Sequence, residues 1–230
     1  VSQGIIVQLS QLNHVSAQEI LAWGFETFGE RIALSTAFGP SGVVLMHLAS
    51  QIRPGVQVFF IDTGFHFAET LNMVERISAR LNVKIEVIKP NLTTAEQSNL
   101  HGDELYVINP DKCCSLRKVE PNLRMLSRLD GWVTALRRDQ GPSRAHLEAV
   151  EPKVVSGRSL TKLNPMIRWT RAEVWRHIFE HDLPYNPLHD RGFPSVGCAP
   201  CTAVATDPTD ERSGRWSGSK KTECGLHTQL

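Results

Sequence analysis

Three short apolar runs, each separated from the next by a break and a helix-like stretch, constrain the fold of this chain most strongly. They cover residues 31–36 (R-I-A-L-S-T), 56–61 (V-Q-V-F-F-I) and 83–88 (V-K-I-E-V-I). The middle run hardly alternates, which is typical of a strand buried on both faces of a parallel sheet. Apolar residues between the runs follow helical spacing. This order predicts an α/β protein with a doubly wound, mostly parallel sheet and right-handed crossovers.

Weaker sequence patterns predict further helices and strands before and after these three strands. Ser16 and Glu19 form a capping-box pattern in a helical lead-in over residues 1–30. Further elements are predicted as a helix over 116–129, strands over 132–136 and 153–156, and a helix from Thr170 through Phe179. Glycine, serine and charged residues dominate 206–222. We therefore predict a single domain over 1–205 and a mobile C-terminal segment over 206–230.

Length and charge narrow the class of protein. The chain has 230 residues, enough for one sizeable core, and its formal net charge of +1 does not suit non-specific nucleic-acid binding. No apolar run approaches the ~20 residues of a membrane span. The first residues lack the pattern of a signal peptide, and the cysteine count is odd. We expect a cytoplasmic, homo-oligomeric protein that binds neither nucleic acid nor membrane.

Two strand-to-helix junctions are candidate ligand loops. Residues 35–42 (S-T-A-F-G-P-S-G) follow the first strand, where backbone N–H groups and a helix N-terminus favour an anion. The loop lacks the Lys-Ser/Thr ending of a Walker A motif, and its glycines would equally serve a tight turn. Asp62-Thr63-Gly64 ends the second strand at the same sheet edge, where open α/β sheets bind ligands. Asp62 could instead cap a helix or form an Asx turn.

The five cysteines fall into a group of four and one alone. Cys113 and Cys114 are adjacent, and Cys198 and Cys201 form a C-x-x-C pair. Four thiolates suit a [4Fe–4S] cluster, with zinc or a redox-active pair as alternatives. Lys118 follows Cys113 by about one helical turn, so it could stabilise an anionic cluster or face an anionic substrate.

The fifth cysteine and four arginines suggest chemistry on an anion. Cys224 follows Lys220 and Lys221, and nearby cations raise the thiolate fraction of a thiol. A thiol on a flexible arm can close over a ligand and then reach a partner. Arginines suit bidentate contacts with phosphate or sulfate, and the candidates are Arg137, Arg138, Arg212 and Arg215. Surface salt bridges are the alternative for each.

These motifs together resemble the adenylyl-sulfate (APS) and phosphoadenylyl-sulfate (PAPS) reductases of assimilatory sulfate reduction. The resemblance runs from about residue 31 to 227 and rests on order and co-occurrence. Its parts are S-T-A-F-G-P-S-G, I-D-T-G, K-C-C-S-L-R-K, T-A-L-R-R-D-Q, K-L-N-P, G-C-A-P-C, E-R-S-G-R-W and K-T-E-C-G-L-H. It implies the adenine-nucleotide α-hydrolase-like (PP-loop) fold.

The resemblance also implies a mechanism and a set of site residues. Cys224 matches the nucleophile, which would attack the sulfur of APS, release AMP and leave a thiosulfonate that a thioredoxin-type thiol reduces to sulfite. The remaining cysteines match the ligands of a [4Fe–4S] cluster that transfers no electrons, with Lys118 linking it electrostatically to the substrate. Positions matching nucleotide, phosphate and sulfate contacts are Ser35, Thr36, Gly39, Asp62, Thr63, Gly64, Arg137, Arg138, Arg212, Arg215 and His227.

Three rival functions remain. A PAPS reductase would use the same chemistry on a substrate with one more phosphate, although the C-C…C-x-x-C pattern favours APS. A PP-loop tRNA-thiolating enzyme would normally carry S-G-G-x-D-S, which is absent, and more basic surface. The third is a cluster or zinc module without catalysis.

Overall fold

A six-stranded sheet forms the centre of the molecule, with strand order β3-β2-β1-β4-β6-β5. The computed structural model describes residues 12–207, 210–216, 221, 223 and 225–226. The strands are β1 (Ile32–Thr36), β2 (Val56–Ile61), β3 (Val83–Ile88), β4 (Gly131–Val133), β5 (Val150–Val155) and β6 (Arg158–Leu163). Only β5 runs antiparallel to its neighbour, so the predicted doubly wound, mostly parallel α/β sheet is confirmed.

Nine α-helical segments in the described part of the chain connect the strands. They are α1 (Ala17–Phe28), α2 (Pro40–Ile52), α3 (Ala68–Leu71), α4 (Met73–Arg80), α5 (Thr94–His101), α6 (Leu105–Ile108), α7 (Pro110–Cys114), α8 (Glu120–Leu126) and α9 (Arg171–Glu180). The capping box predicted at Ser16 is present at the start of α1, and Thr170 caps α9 as predicted, where it also forms a capping box with Glu173. None of the described helices is long and apolar enough to cross a membrane.

Successive strand residues point into two separate cores. Leu34 and Phe60 face a large cluster formed with α1, α2, α4 and α9. Ala33, Phe59 and Trp132 face a smaller cluster formed with α8 and residues just after it. Because side chains alternate along a strand, helices cover both faces of the sheet and its carboxyl edge stays open between them.

Three predicted elements differ from the structure. Strand β4 ends at Val133 and not at Leu136. The helix predicted over 116–129 is divided into a π-helical turn over Ser115–Val119 and the short α8. Pro121 explains the division, since it has no N–H to donate to the carbonyl four residues earlier. The hairpin of β5 and β6 was predicted only as the short strand 153–156, because its charged residues obscure the pattern.

Candidate functional site

A cavity of about 260 Å³ lies at the carboxyl edge of the sheet, where β1, β2 and β4 end. Ligands of open α/β sheets bind at this edge. Most of the substrate-binding residues predicted from the sequence line it, namely Ser35, Thr36, Gly39, Thr63, Lys118, Arg137, Arg212 and Arg215. The structure therefore brings together groups that are up to 180 residues apart in the chain.

The glycine loop presents the start of α2 to this cavity. Gly39 is the N-cap and Pro40 opens the helix; among the described residues no side chain caps it, and its first turn has no acidic residue. The Thr36 hydroxyl accepts a hydrogen bond from the Phe38 N–H at 2.9 Å. A Cβ at Gly42 would lie 2.9 Å from that hydroxyl oxygen, so glycine is needed there. The helix end can therefore receive an anion.

A buried arginine connects this loop to the C-terminal part of the chain. Arg137 is 3% exposed. Its guanidinium donates to the Ser41 hydroxyl, to Asp139 at 2.8 Å and to Glu211 at 3.3 Å. Because a buried charge is stable only when it is paired, these contacts fix the guanidinium at the cavity wall.

Glu223 lies within a second group of arginines. Arg144 donates to both of its carboxylate oxygens at 3.0 Å, and Arg212 donates to one at 3.1 Å. Burial acts to raise the pKa of Glu223, but hydrogen bonding and charge from Arg144 and Arg212 outweigh it, so the pKa lies below its usual range. The Glu223 carboxylate thus pairs with two arginines, Arg144 and Arg212, that line the cavity.

Residues 210–216 of the predicted mobile segment pack on the C-x-x-C turn. The Trp216 N–H donates to the Cys201 carbonyl at 3.1 Å, and Arg215 pairs with Thr202 in an antiparallel bridge. The Arg215 guanidinium lies 4.6 Å from the Trp216 ring centroid. It also covers Gly197 so closely that a Cβ there would lie 2.1 Å from Nη2.

Three of the described residues predicted to bind substrate do not line the cavity, namely Asp62, Gly64 and Arg138. Asp62 accepts the Gly64 N–H at 2.9 Å, which is the Asx turn considered above. Arg138 donates to the Leu147 carbonyl at 2.9 Å. Cys224 and His227 lie outside the described residues.

The residues on either side of Cys224 are described, however. Glu223 and Leu226 both line the cavity. The sequence segment that carries the predicted nucleophile therefore meets the cavity wall on both sides of position 224.

The other four cysteines surround a second, much smaller pocket. Cys113 and Cys114 end α7, while Cys198 caps and Cys201 ends a short 3₁₀ turn. All four line a pocket of about 10 Å³, together with Phe65, Tyr106, Pro110, Arg117, Lys118 and Pro200. In the described part of the chain, no group of three or more His, Cys, Asp or Glu residues is arranged to hold a metal ion.

The electrostatics of this pocket show that the thiols are close together. Burial raises the pKa of Cys113 to about 11, and the neighbouring cysteines add to the effect. Burial also raises the pKa of Cys201, with Cys198 contributing. Deprotonation of Cys113 and Cys201 in this pocket therefore needs a compensating positive charge.

Lys118 connects the two pockets. It lines both the large cavity and the cysteine pocket, and it is 8% exposed. It lies in the π-helical turn that follows the cysteine pair, and such turns are frequent at functional sites. Its role between the cysteines and a substrate stays a prediction.

Several cavity residues were missed by the sequence analysis. Arg144 and Arg171 add positive charge. Four buried polar atoms of the lining have no hydrogen-bond partner among the described residues, and they are His66 Nδ1, Asn122 Nδ2, His189 Nε2 and Trp216 Nε1. Buried polar atoms are normally paired, so such a group indicates a place where a ligand or water completes the bonding.

The comparisons with known proteins agree with this geometry. A family model described as the phosphoadenosine phosphosulfate reductase domain matches residues 31–204. The chain belongs to this family. The matched range holds the glycine loop, both pairs of cysteines and Arg137.

Members of this reductase family align with nearly the whole chain. An adenosine 5'-phosphosulfate reductase of Geobacillus thermodenitrificans is 47% identical over 212 residues, which cover 92% of this chain and 89% of the relative. A phosphoadenosine 5'-phosphosulfate reductase of Gloeobacter violaceus is 44% identical, covering 94% and 90%. The crystal structure of a phosphoadenylyl-sulfate reductase from Candida auris has a TM-score of 0.75 and 32% identity, covering 88% and 99%.

Proposed function

We propose that this protein reduces adenylyl sulfate to sulfite and AMP in sulfate assimilation, with Cys224 as the nucleophile. One observation carries the proposal. The cationic cavity at the carboxyl edge of the sheet is bordered by Glu223 and Leu226, which stand one residue before and two residues after Cys224 in the sequence. The stretch of sequence that carries the proposed nucleophile thus borders the sheet edge, where open α/β sheets bind ligands such as an anionic nucleotide.

Binding uses the positive groups of the cavity. The start of α2 and Arg137 suit the phosphate, since both present N–H donors at one wall. Lys118, Arg212 and Arg215 add charge on the side of the cysteine pocket and suit the sulfo group. The positive groups of the cavity also stabilise the negative charge that develops on AMP as it leaves.

The first chemical step forms a bond between the Cys224 thiolate and the sulfur of APS. The bond from that sulfur to the bridging phosphate oxygen breaks, and AMP leaves with the bonding electrons. The product is a thiosulfonate on Cys224, Cys–S–SO₃⁻. Cations nearby favour the thiolate over the thiol, which is the reactive form.

The second step needs an external dithiol, for which thioredoxin is our proposal. One donor thiolate attacks the Cys224 sulfur and releases sulfite, and the second donor thiol then resolves the mixed disulfide. The donor is oxidised to a disulfide, and Cys224 returns to its thiol. Two electrons thereby pass from the donor to the substrate sulfur.

Cys113, Cys114, Cys198 and Cys201 are the residues that would hold a [4Fe–4S] cluster. They fit it because four thiols line one pocket, three of them buried and that of Cys201 partly buried. In the described part of the chain they do not converge as a single zinc ion requires, with every sulfur about 2.3 Å from the metal. When bound, the cluster supplies positive charge that keeps these thiols deprotonated. Lys118 lines both pockets, so its charge would act on both the cluster and the substrate.

Replacing Cys224 by Ser tests the assignment of the nucleophile. We expect turnover of APS to be lost while the brown colour of the anaerobically purified protein is retained, because Cys224 is not a proposed cluster ligand. Iron and sulfide analysis should give about four of each per chain. Retained turnover, or loss of colour in this variant, would contradict the proposal.

Substrate choice needs its own measurement, because relatives bear both names. APS and PAPS are compared in a sulfite-release assay with excess reduced thioredoxin. We expect a higher kcat/KM for APS. Turnover of PAPS at an equal or higher kcat/KM would instead assign the protein as a PAPS reductase with the same mechanism.

A further inference from the structure

Asn122 is a buried polar residue without an assigned role. Its side chain lies on α8, is 1% exposed and lines the large cavity. No described residue accepts a hydrogen bond from its Nδ2. A buried amide donor without a partner lowers the stability of a fold, so its presence here needs a physical reason.

The helix pattern makes the amide unexpected. Residues 122, 125, 126 and 129 recur at the spacing of one helix face. Met125, Leu126 and Leu129 of this face pack in the smaller core against Phe59 and Trp132. An apolar side chain at position 122 would continue that packing, whereas asparagine leaves its donor without a partner.

The position of Asn122 points to a ligand. It follows Lys118 by four residues along a continuous π- and α-helical segment, and both side chains line the same cavity. The start of α2 lies on the other face of the sheet, because α2 packs in the larger core. The cavity therefore crosses the sheet edge from α2 to α8, and a ligand that spans it meets Asn122.

We propose that Asn122 is a substrate-contacting residue whose Nδ2 donates a hydrogen bond to an acceptor atom of the sulfonucleotide. This inference rests on the proposed function, since it takes that nucleotide as the occupant of the cavity. The donor is unpaired in the free protein and gains its partner on binding. The chain thus gives up some stability in exchange for substrate affinity.

The test is the Asn122→Leu variant, because leucine has nearly the shape of asparagine but no amide. We expect the Tm of the ligand-free protein to rise by about 2–4 °C, as a buried unpaired donor is removed. We expect nucleotide affinity to fall roughly three- to tenfold as one hydrogen bond is lost. Replacing a residue with a purely structural role would not raise the Tm and weaken nucleotide binding at the same time.

Asn186→Leu is the matched control. Asn186 is also 1% exposed, but its amide donates to Thr70 at 3.0 Å and accepts the Leu188 N–H at 3.0 Å. Its replacement breaks two satisfied bonds and should lower the Tm. A similar fall in Asn122→Leu would mean that Asn122 is an ordinary core asparagine and would overturn the proposal.

Affinity is measured by calorimetry in the cluster-loaded Cys224→Ser protein, so that APS is bound but not consumed. Weaker binding of both AMP and APS places the acceptor in the AMP half, and weaker binding of APS alone places it in the sulfo group. Unchanged affinity for both overturns the proposal. If the Cys224→Ser protein with Asn122 intact binds neither ligand, the proposed function itself fails.

Discussion

Glu223 and Arg144 form a two-point ion pair, in which Nε and Nη2 each lie 3.0 Å from a carboxylate oxygen. Their side chains are 11% and 10% exposed. Charge-assisted bidentate pairs of this kind are among the stronger polar contacts in proteins. The pair therefore fastens the residue immediately before Cys224 to the cavity wall.

Replacing Glu223 by Gln should loosen this contact. The amide keeps the size of the side chain but cannot neutralise Arg144 and Arg212, so the segment next to Cys224 should leave the wall more often. We expect alkylation of Cys224 by iodoacetamide in the ligand-free protein to become roughly tenfold faster. Peptide mass spectrometry separates Cys224 from the four pocket cysteines.

Glu30→Gln provides the control for this experiment. Glu30 pairs with Arg53 but is largely exposed, so its replacement should leave the alkylation rate unchanged. Because the pKa of Glu223 is lowered, the pair is complete at neutral pH and is lost only as the pH falls through that lowered pKa. An equal rate in Glu223→Gln and the wild type would show that the pair does not hold the segment.

The sheet was more predictable than the contacts that complete the site. The bounds of β2 and β3 agree with the predicted 56–61 and 83–88. Strand β2 is a mostly apolar run that is largely buried, and β3 is an edge strand in which charged residues alternate with apolar ones, so both have local patterns. The hairpin of β5 and β6 was less visible, since Lys162 carries a charge and yet is 1% exposed. Its burial depends on packing over Trp132, which no local pattern encodes.

The candidate site likewise contains residues that local sequence patterns identify and residues whose roles depend on distant partners. Loops at strand ends have local signatures, and Ser35, Thr36 and Thr63 line the cavity as predicted. Arg144 has no such signature, because its role depends on a partner 79 residues away. Asn122 was missed because periodicity identifies a helix face but cannot show that the core is open at one position of it.

A methyl group at Gly197 should displace Arg215. A Cβ at this position would lie 2.1 Å from Nη2 and 2.5 Å from Cζ of Arg215, so the guanidinium must move off the turn. We expect Gly197→Ala, made in the Cys224→Ser protein so that APS is bound but not consumed, to weaken APS binding about tenfold, as one charged contact to the sulfo group is lost. Calorimetric titration of the cluster-loaded protein measures the change.

A double-mutant cycle assigns this effect to Arg215. If Gly197→Ala acts by moving the guanidinium, adding it to Arg215→Ala should cost little more affinity than Arg215→Ala alone. Fully additive losses would indicate instead that Gly197 serves the C-x-x-C turn independently of Arg215.

Phe38 combines an unfavourable backbone conformation with a buried ring. Its φ of 56° lies in the left-handed region, while its ring is 1% exposed and lies 4.8 Å from that of Phe60. Removing the ring should cost about 3–5 kcal/mol, more than the roughly 1–2 kcal/mol gained by relieving the backbone. Both Phe38→Ala and Phe38→Gly should therefore lower the free energy of unfolding.

The order of these two variants tests the backbone conformation. Glycine usually destabilises a folded chain relative to alanine, but at a left-handed position the order reverses. We expect Phe38→Gly to be about 1 kcal/mol more stable than Phe38→Ala in urea unfolding. The usual order, with alanine the more stable, would contradict a left-handed Phe38.

Three histidines meet where α2 packs on α9, away from the cavity. His47 Nδ1 lies 2.9 Å from His177 Nε2, and the rings of His177 and His181 are 4.3 Å apart. Burial lowers the pKa of His47 to about 4, and His177, His181 and Arg80 act in the same direction. Protonation of His47 would place like charges together at this helix contact.

The pH dependence of stability follows from this lowered pKa. An unfolded histidine titrates near 6.5 and His47 in the folded protein near 4, so the unfolded state takes up its proton first as the pH falls. Stability from this group is therefore complete above pH 6.5, declines between 6.5 and 4, and is gone below. His47→Gln should flatten the fall of Tm in this interval, whereas replacing the exposed His101 by Gln should not. Parallel Tm profiles for wild type and His47→Gln would show that His47 takes up its proton without opposing the packing of α2 on α9.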